Sequence, residues 1–362
     1  MNRKAARRFA SLVAALALTS PLTILADDSA ASIAAGGLVP RRETRIVMAK
    51  EVLRISTKKI VVDYDFRNDT DEDVTTEVAF PVPPYENEAE EADTATQSFR
   101  SFRLLVDGVP VKYNTELKAT VDGKDVTSIL QADHIDIATF GHFEKDGADF
   151  ARLPLAERQR LSKLGIRDKT DDFGRWTVHL QYHWTQTFPA HSTVHIRHEY
   201  APALGFTQIS WSDAEDELSN LSAGHTGKRK TEGTQLLAGF CADRPFLNAL
   251  DRPLCESAAR AKTDNDKLMA GLAYPHWVDF ILTTANTWQR PIEDFTLIVE
   301  RPQPEHGGRA LISFCSPQGG KLEKPDPDHF QVHLTNFVPS SELHIGFFEV
   351  PVPKPAEPPA KK

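Results

Sequence analysis

The sequence contains no Cys-x-x-Cys pair, no Gly-x-Ser-x-Gly, no His-Glu-x-x-His, and no Gly-x-Gly-x-x-Gly or Walker loop. These absences remove a zinc ribbon or thioredoxin-type site, the hydrolase elbow, the helical zinc-protease site and the common dinucleotide and phosphate loops. No cofactor is therefore expected. Cysteine is scarce, with only Cys241, Cys255 and Cys315. Long apolar runs are missing too: beyond the first 26 residues nothing approaches the ~20 apolar residues of a helical membrane span. Proline, by contrast, is plentiful at 24 residues. It removes a backbone donor and breaks helix interiors, which argues against a mainly helical fold.

Residues 1–26, MNRKAARRFASLVAALALTSPLTILA, read as a cleaved secretory leader. Arg3, Lys4, Arg7 and Arg8 form the charged start, Leu12 to Leu18 begin the apolar core, and Ala26 is the small residue at the cleavage point. Thr19, Ser20 and Pro21 interrupt the apolar run, which disfavours an anchor. Cleavage removes four positive and no negative charges, taking the net charge from −9 to −13. An exported, acidic chain repels nucleic acid and anionic lipid, so neither is an expected partner. Export permits disulfides. Three thiols allow three pairings, of which Cys241–Cys255 closes the shortest loop and is the one we expect.

Strand patterns dominate the rest. Ile60, Val62, Tyr64 and Phe66 alternate with polar residues, as do Val74, Val78, Phe80 and Val82. Between them lies NDTDED, where Asp69, Asp71 and Asp73 imitate the start of a calcium loop. Counted from Asp69, the sixth and twelfth positions hold Val74 and Phe80 rather than the glycine and glutamate such a loop needs. The segment reads as a hairpin turn built from backbone-bonding Asn and Asp. Pro81 and Pro83 place the following stretch at a sheet edge or where the chain leaves the sheet. Asp107-Gly108 and Asp122-Gly123 are tight-hairpin signals. Residues 86–97 are acidic and loop-like, and GHTGKRK near residue 225 reads as a surface loop.

Residues 27–39 suggest a short helix stopped by Gly36 and Gly37. A second helix fits residues 154–164, with Gly165 at its end, and two short helices fit 235–262 around Pro245 and Pro253. Trp176, Val178, Leu180, Tyr182 and Trp184 share one strand face, and VHIRHEY resumes the alternation. At least four more strands follow between residues 277 and 349. The expected fold is mainly β: antiparallel sandwich units with short helical insertions. The expected organisation is an N-terminal sandwich over residues 27–150, a second β-rich domain over 151–350 and a disordered Pro/Lys-rich tail at 351–362.

His179 and His183 share a strand face. If the FPAHS turn joins paired strands, His195 approaches His183 diagonally, within ~7–8 Å. Three imidazoles suit zinc. The competing reading is a solvated face of Thr, Gln, Arg and Glu beside Arg197, and on that reading no metal is bound. His198 shares the parity of Val194 and Ile196, which marks it as a core histidine. In the loop TTANTWQRP, Asn286, Trp288 and Arg290 are candidate contacts, with Trp288 alternatively packing beneath the loop.

The blocks DDSAASIAAGGL, YDFRNDTDEDVTTEVAFPVP, GKDVTSIL, ILTTANTWQRPIEDFTLIVE, SFC and NFVPSSELHIGFF occur in that order. As a set they resemble domain-of-unknown-function family 4424, which implies an exported, β-rich bacterial protein without an assigned activity. The order F-x-N-x-T, FPVP, VDG is similar to the β-rich domain that precedes adhesion modules in inter-alpha-trypsin-inhibitor proteins, and implies extracellular interactions. No DxSxS adhesion motif follows it. The reading that results is an exported, periplasmic or extracellular, non-catalytic binding module for an envelope protein or polymer. The alternatives are a secreted hydrolase or metal-dependent enzyme, and an assembly protein that adds strands at a sheet edge.

Overall fold

The computed structural model describes residues 28–34, 37–87, 101–140, 148–170, 173–223, 230–304 and 307–352. The leader, residues 88–97 of the acidic loop, GHTGKR and the tail from residue 353 lie outside the described residues.

The first half of the chain contributes β1 (Ser29–Ala34), β2 (Gly37–Pro40), β3 (Ile46–Ile55), β4 (Ile60–Asn68), β5 (Val74–Pro81) and β6 (Tyr85–Glu86). It continues with β7 (Arg103–Val106), β8 (Val109–Pro110), β9 (Asn114–Val121) and β10 (Lys124–Asp125). Then come β11 (Thr177–Phe188) and β12 (Ser192–Tyr200). Sheet 1 runs β10-β9-β11-β5-β1-β2, with β6 also on β11. Sheet 2 runs β19-β17-β3-β4-β12-β7-β8, where β17 is Ile292–Glu300 and β19 is His329–Phe337. One apolar core lies between them. Val62, Tyr64 and Phe66 of β4 and Ile196 of β12 are buried with Val78 and Phe80 of β5 and Tyr182 and Trp184 of β11. The fold is mainly β, as the alternation predicts, and most pairings are antiparallel. β17 against β3 is parallel, because these strands are joined by a long excursion rather than a turn.

Three expectations about the strands need correction. The N-terminal segment is not a helix: β1 and β2 form a hairpin, and Ser29, Ala30 and Ala31 pair with Ala79, Val78 and Glu77. Pairing with β5 overrides the helix preference of alanine. NDTDED and FPAHS are turns, but not hairpins. Each carries the chain from one sheet to the other, from β4 to β5 and from β11 to β12. Finally, residue 150 does not divide the sheets. β11 lies between β5 and β9, β12 lies between β4 and β7, and β17 pairs with β3. A cut at that point would run through both sheets.

Both crossings are held by Asn68, which is fully buried. Its side-chain amide donates to the carbonyls of Glu72 (2.8 Å) and Phe188 (2.9 Å), and its oxygen accepts from the Thr70 amide (3.0 Å) and hydroxyl (2.7 Å). Asp73 adds a bond from the Ala190 amide at 2.9 Å. The Asp-Gly turns form as expected, with positive φ at Asp107, Gly108, Asp122 and Gly123. Pro81 ends β5, which is not an edge strand, and the chain leaves the sheet there.

A third sheet, β13-β16-β20-β18, uses β13 (Gly205–Phe206), β16 (His276–Phe280), β18 (Arg309–Phe314) and β20 (Leu343–Val350). A two-stranded ladder joins β14 (Ile209–Ser210) and β15 (Leu272–Ala273). Helices Trp211–Ser222, Glu232–Gly239, Arg244–Arg260 and Asp264–Ala270 accompany them. Phe240, Leu247, Leu250 and Leu254 pack with Phe348 and Val350 into a second core. Pro245 sits in the first turn of its helix, but Pro253 is interior. Its missing N–H frees the Ala249 carbonyl, which accepts from Arg309 at 3.3 Å. The expected helix near residue 154 spans Leu155–Lys163 and is followed by Gly165 at φ 74°. Among the described residues, no helix is long and apolar enough to cross a membrane.

The disulfide joins Cys241 to Cys315, across 74 residues, and Cys255 is a free, exposed thiol. The expected Cys241–Cys255 pairing fails because Leu247, Leu250 and Leu254 occupy the inward face of their helix. Cys241, at the helix junction, meets the end of β18 instead. The chain-entropy model assigns this long loop about 4.5 kcal/mol. Thiol titration of the denatured, unreduced protein should find one reactive cysteine, abolished by Cys255→Ser. Asn68→Ala should cost about 2–3 kcal/mol in urea unfolding, since it strands a buried carbonyl and frees both crossings.

Candidate functional site

The outer face of sheet 1 carries the polar half of three alternating strands. β5 presents Thr75 and Glu77; β9 presents Glu116, Lys118 and Thr120; β11 presents His179, Gln181, His183, Thr185 and Thr187. Register places His179 opposite Lys118, Gln181 opposite Glu116 and Thr185 opposite Glu77. These neighbours bond to one another. His183 Nδ1 lies 2.5 Å from Glu77 Oε1, and the Thr185 hydroxyl donates to Glu77 Oε2 at 2.9 Å. Gln181 Nε2 donates to Glu116 Oε2 at 2.6 Å, and the Thr120 hydroxyl lies 2.9 Å from His179 Nε2. Burial, reinforced by the Lys118 cation, holds the His179 imidazole below its ordinary pKa.

The β1–β2 hairpin folds back over this face. Glu116 stands on β9, separated from β1 by β11 and β5 in the sheet order. Yet the Leu38 amide of β2 donates to both Glu116 oxygens, at 3.1 and 3.0 Å. Ala31, Leu38 and Ala79 form a small cluster beneath the hairpin. The small side chains of Ala31 and Ala79 let the two layers approach closely. A cleft of about 130 Å³ remains between hairpin and sheet, with Lys118, His179 and Gln181 among its polar lining residues.

The structure takes the histidine trio apart. His179 and His183 share the outer face of sheet 1, but His195 faces outward from sheet 2, on the opposite side of the sandwich. The FPAHS crossing is the cause. There His195 bonds Asp65 at 2.9 Å and lies 3.4 Å from Asp63, which also binds Arg54 and Arg197. The loop candidates resolve differently. Trp288 is buried and donates from Nε1 to the Asp28 carbonyl at 2.6 Å, with the Phe66 ring 4.7 Å away. It is core, not contact surface. Asn286 donates to the Pro339 carbonyl, and Arg290 pairs with Glu293 and Asp69.

Asp28, unremarked in the sequence, is fully buried beside His198, 3.5 Å from its Nε2. His198 is the core histidine its parity predicts, among the rings of Phe80, Phe102, Trp184 and Tyr64. Burial pushes its pKa from 6.5 down to about 3. The unfolded chain protonates this imidazole near 6.5 while the native state excludes the proton. Native stability should therefore fall as pH drops from about 6.5 toward about 3, by up to about 1.4 kcal/mol per pH unit from this group. Urea unfolding between pH 7 and pH 4 should show a shallower acid decline for His198→Gln than for the wild type.

Comparison with known proteins adds a family. The model named Domain of unknown function (DUF4424) matches residues 26–345. Among solved structures, a protein from Legionella pneumophila subsp. pneumophila str. Philadelphia 1, provisionally described as a nutrient binding protein, aligns at 14% identity. The alignment covers 90% of this chain and 70% of that one, with a TM-score of 0.37. No curated protein matches the chain.

Proposed function

This chain belongs to the DUF4424 family, and we propose that it is an exported, non-catalytic binding module of the cell envelope. The observation that carries the reading is the roofed cleft on sheet 1. Two of its polar side chains, His179 and Gln181, are cross-bonded to the adjacent strand, so their positions are set before any ligand arrives. Preorganisation of this kind lowers the entropy lost on binding. His179 is oriented by a threonine hydroxyl rather than by a carboxylate, an arrangement suited to hydrogen bonding more than to proton abstraction. The leader pattern and the Cys241–Cys315 bridge support a destination outside the reducing cytosol.

Expression of the full chain with its own leader tests both parts. Intact-mass analysis of the envelope fraction should find a chain beginning at Asp27 with one disulfide. The same material should retain a specific envelope component on capture and contain no stoichiometric metal. Stoichiometric zinc without a retained component would replace this reading with a metal-dependent enzyme.

A further inference from the structure

We propose that the cleft beneath the β1–β2 hairpin binds a small monocarboxylate with a short aliphatic body. This ligand class rests on the binding-module reading above. The walls are largely apolar: Ala31, Leu38 and Ala79 line them beside the Ser29 and Gln181 side chains, and Pro40 and Pro81 have no N–H to offer. At about 130 Å³, the space is close to that of an apolar protein cavity known to take a benzene-sized guest. About six heavy atoms fit on that scale.

One end of the cleft is different. Lys118 and His179 face each other across β9 and β11. The Lys118 side chain is 27% exposed, and its Nζ is ion-paired with Glu116 Oε1 at 3.7 Å, a separation beyond hydrogen-bond range. Glu116 is already engaged by the Leu38 amide and by Gln181. Among the described residues Lys118 therefore spends none of its three donors in a hydrogen bond, although it stands at the end of an apolar chamber. A ligand carboxylate would give Lys118 Nζ a hydrogen-bond acceptor at closer range than Glu116, through a charge-assisted bond of the stronger kind. When the Thr120 hydroxyl donates to His179 Nε2, the other ring nitrogen carries the proton and can donate to the second carboxylate oxygen. The imidazole, held neutral by burial and by Lys118, leaves Lys118 as the recognising cation, with Glu116 and Asp125 as the nearby acids.

The same chemistry sets specificity. A second carboxylate would be desolvated against Ala, Leu and Pro without a partner, which is strongly unfavourable. An amine would meet the Lys118 charge. A long acyl chain would leave most of its length outside the cleft, in water.

Calorimetric titration of the full exported chain with butanoate and pentanoate tests the proposal, with 1-pentanol, pentylamine, glutarate and decanoate as comparators. The expected result is saturable, one-to-one binding of a short monocarboxylate, at least about tenfold tighter than any comparator. Lys118→Met, checked for unchanged circular dichroism and urea midpoint, should lose at least about tenfold in affinity. Lys118→Arg should retain more of it. No saturable binding of either acid by folded wild type, or equal binding by Lys118→Met, overturns the ligand class. If envelope capture still retains a component in that case, the binding-module reading stands and only the monocarboxylate falls. Stoichiometric zinc removes both.

Discussion

A buried carboxamide holds together the two places where this chain changes sheet. Asn68 sits at the end of β4 and bonds both to the turn that begins β5 and to the last residue of β11. The four strands entering and leaving those crossings occupy the middle of the two sheets. Everything outward of them depends on this junction. It decides which faces of β5 and β11 meet the core, and hence which side chains line the outer surface of sheet 1. A slip of one residue in β11 would exchange Trp184 and Tyr182 for His183 in the interior, and one in β5 would exchange Val78 and Phe80 for Glu77 and Ala79.

The N-terminal hairpin depends on the same core from another direction. Its entry is anchored by Asp28, whose carbonyl accepts from Trp288 and whose carboxylate lies beside His198. The Ala30 amide donates to the Thr287 hydroxyl at 3.2 Å. These contacts tie the first described strand to a loop almost 260 residues away. Among the described residues, Ser29 to Ala31 pair with β5, and Leu38 of the returning strand meets Glu116. Close approach is possible because alanines face each other there, and the chamber opens where Pro81 ends the ladder. The helical part is secured separately, by its own apolar core and by the Cys241–Cys315 bridge to β18.

Much of this architecture was legible in residue order. Alternation in Ile60–Phe66 and in Trp176–Trp184 marks inward and outward faces. Asp-Gly pairs mark the two tight hairpins, and Gly165 marks a helix end. His198 could be assigned to the core by parity alone. Misreadings arose where short-range and long-range preferences compete. Alanine-rich residues 27–39 favour a helix in isolation but supply a strand once β5 offers unpaired backbone. Cys241 and Cys255 are close in sequence, yet the helix between them directs its leucines inward and its cysteine outward. His183 and His195 are separated by a short turn that looks like a hairpin and is a crossing.

Alternation and turn chemistry act over a few residues, so they fix the face of most strands and the two tight turns, while residues 27–39 take their strand form from their partner β5. Which sheet each strand joins was decided only by tertiary structure. Backbone N–H and C=O groups are identical along the chain and carry no address, so β17 finds β3, and β12 finds β4, through shape and burial of whole faces. The candidate cleft belongs to that second category. Its residues come from positions 29–40, 79–82, 118 and 179–181, and no local rule brings them together. They meet because a hairpin anchored in the core lays Ala31 and Leu38 against Ala79 of a finished sheet.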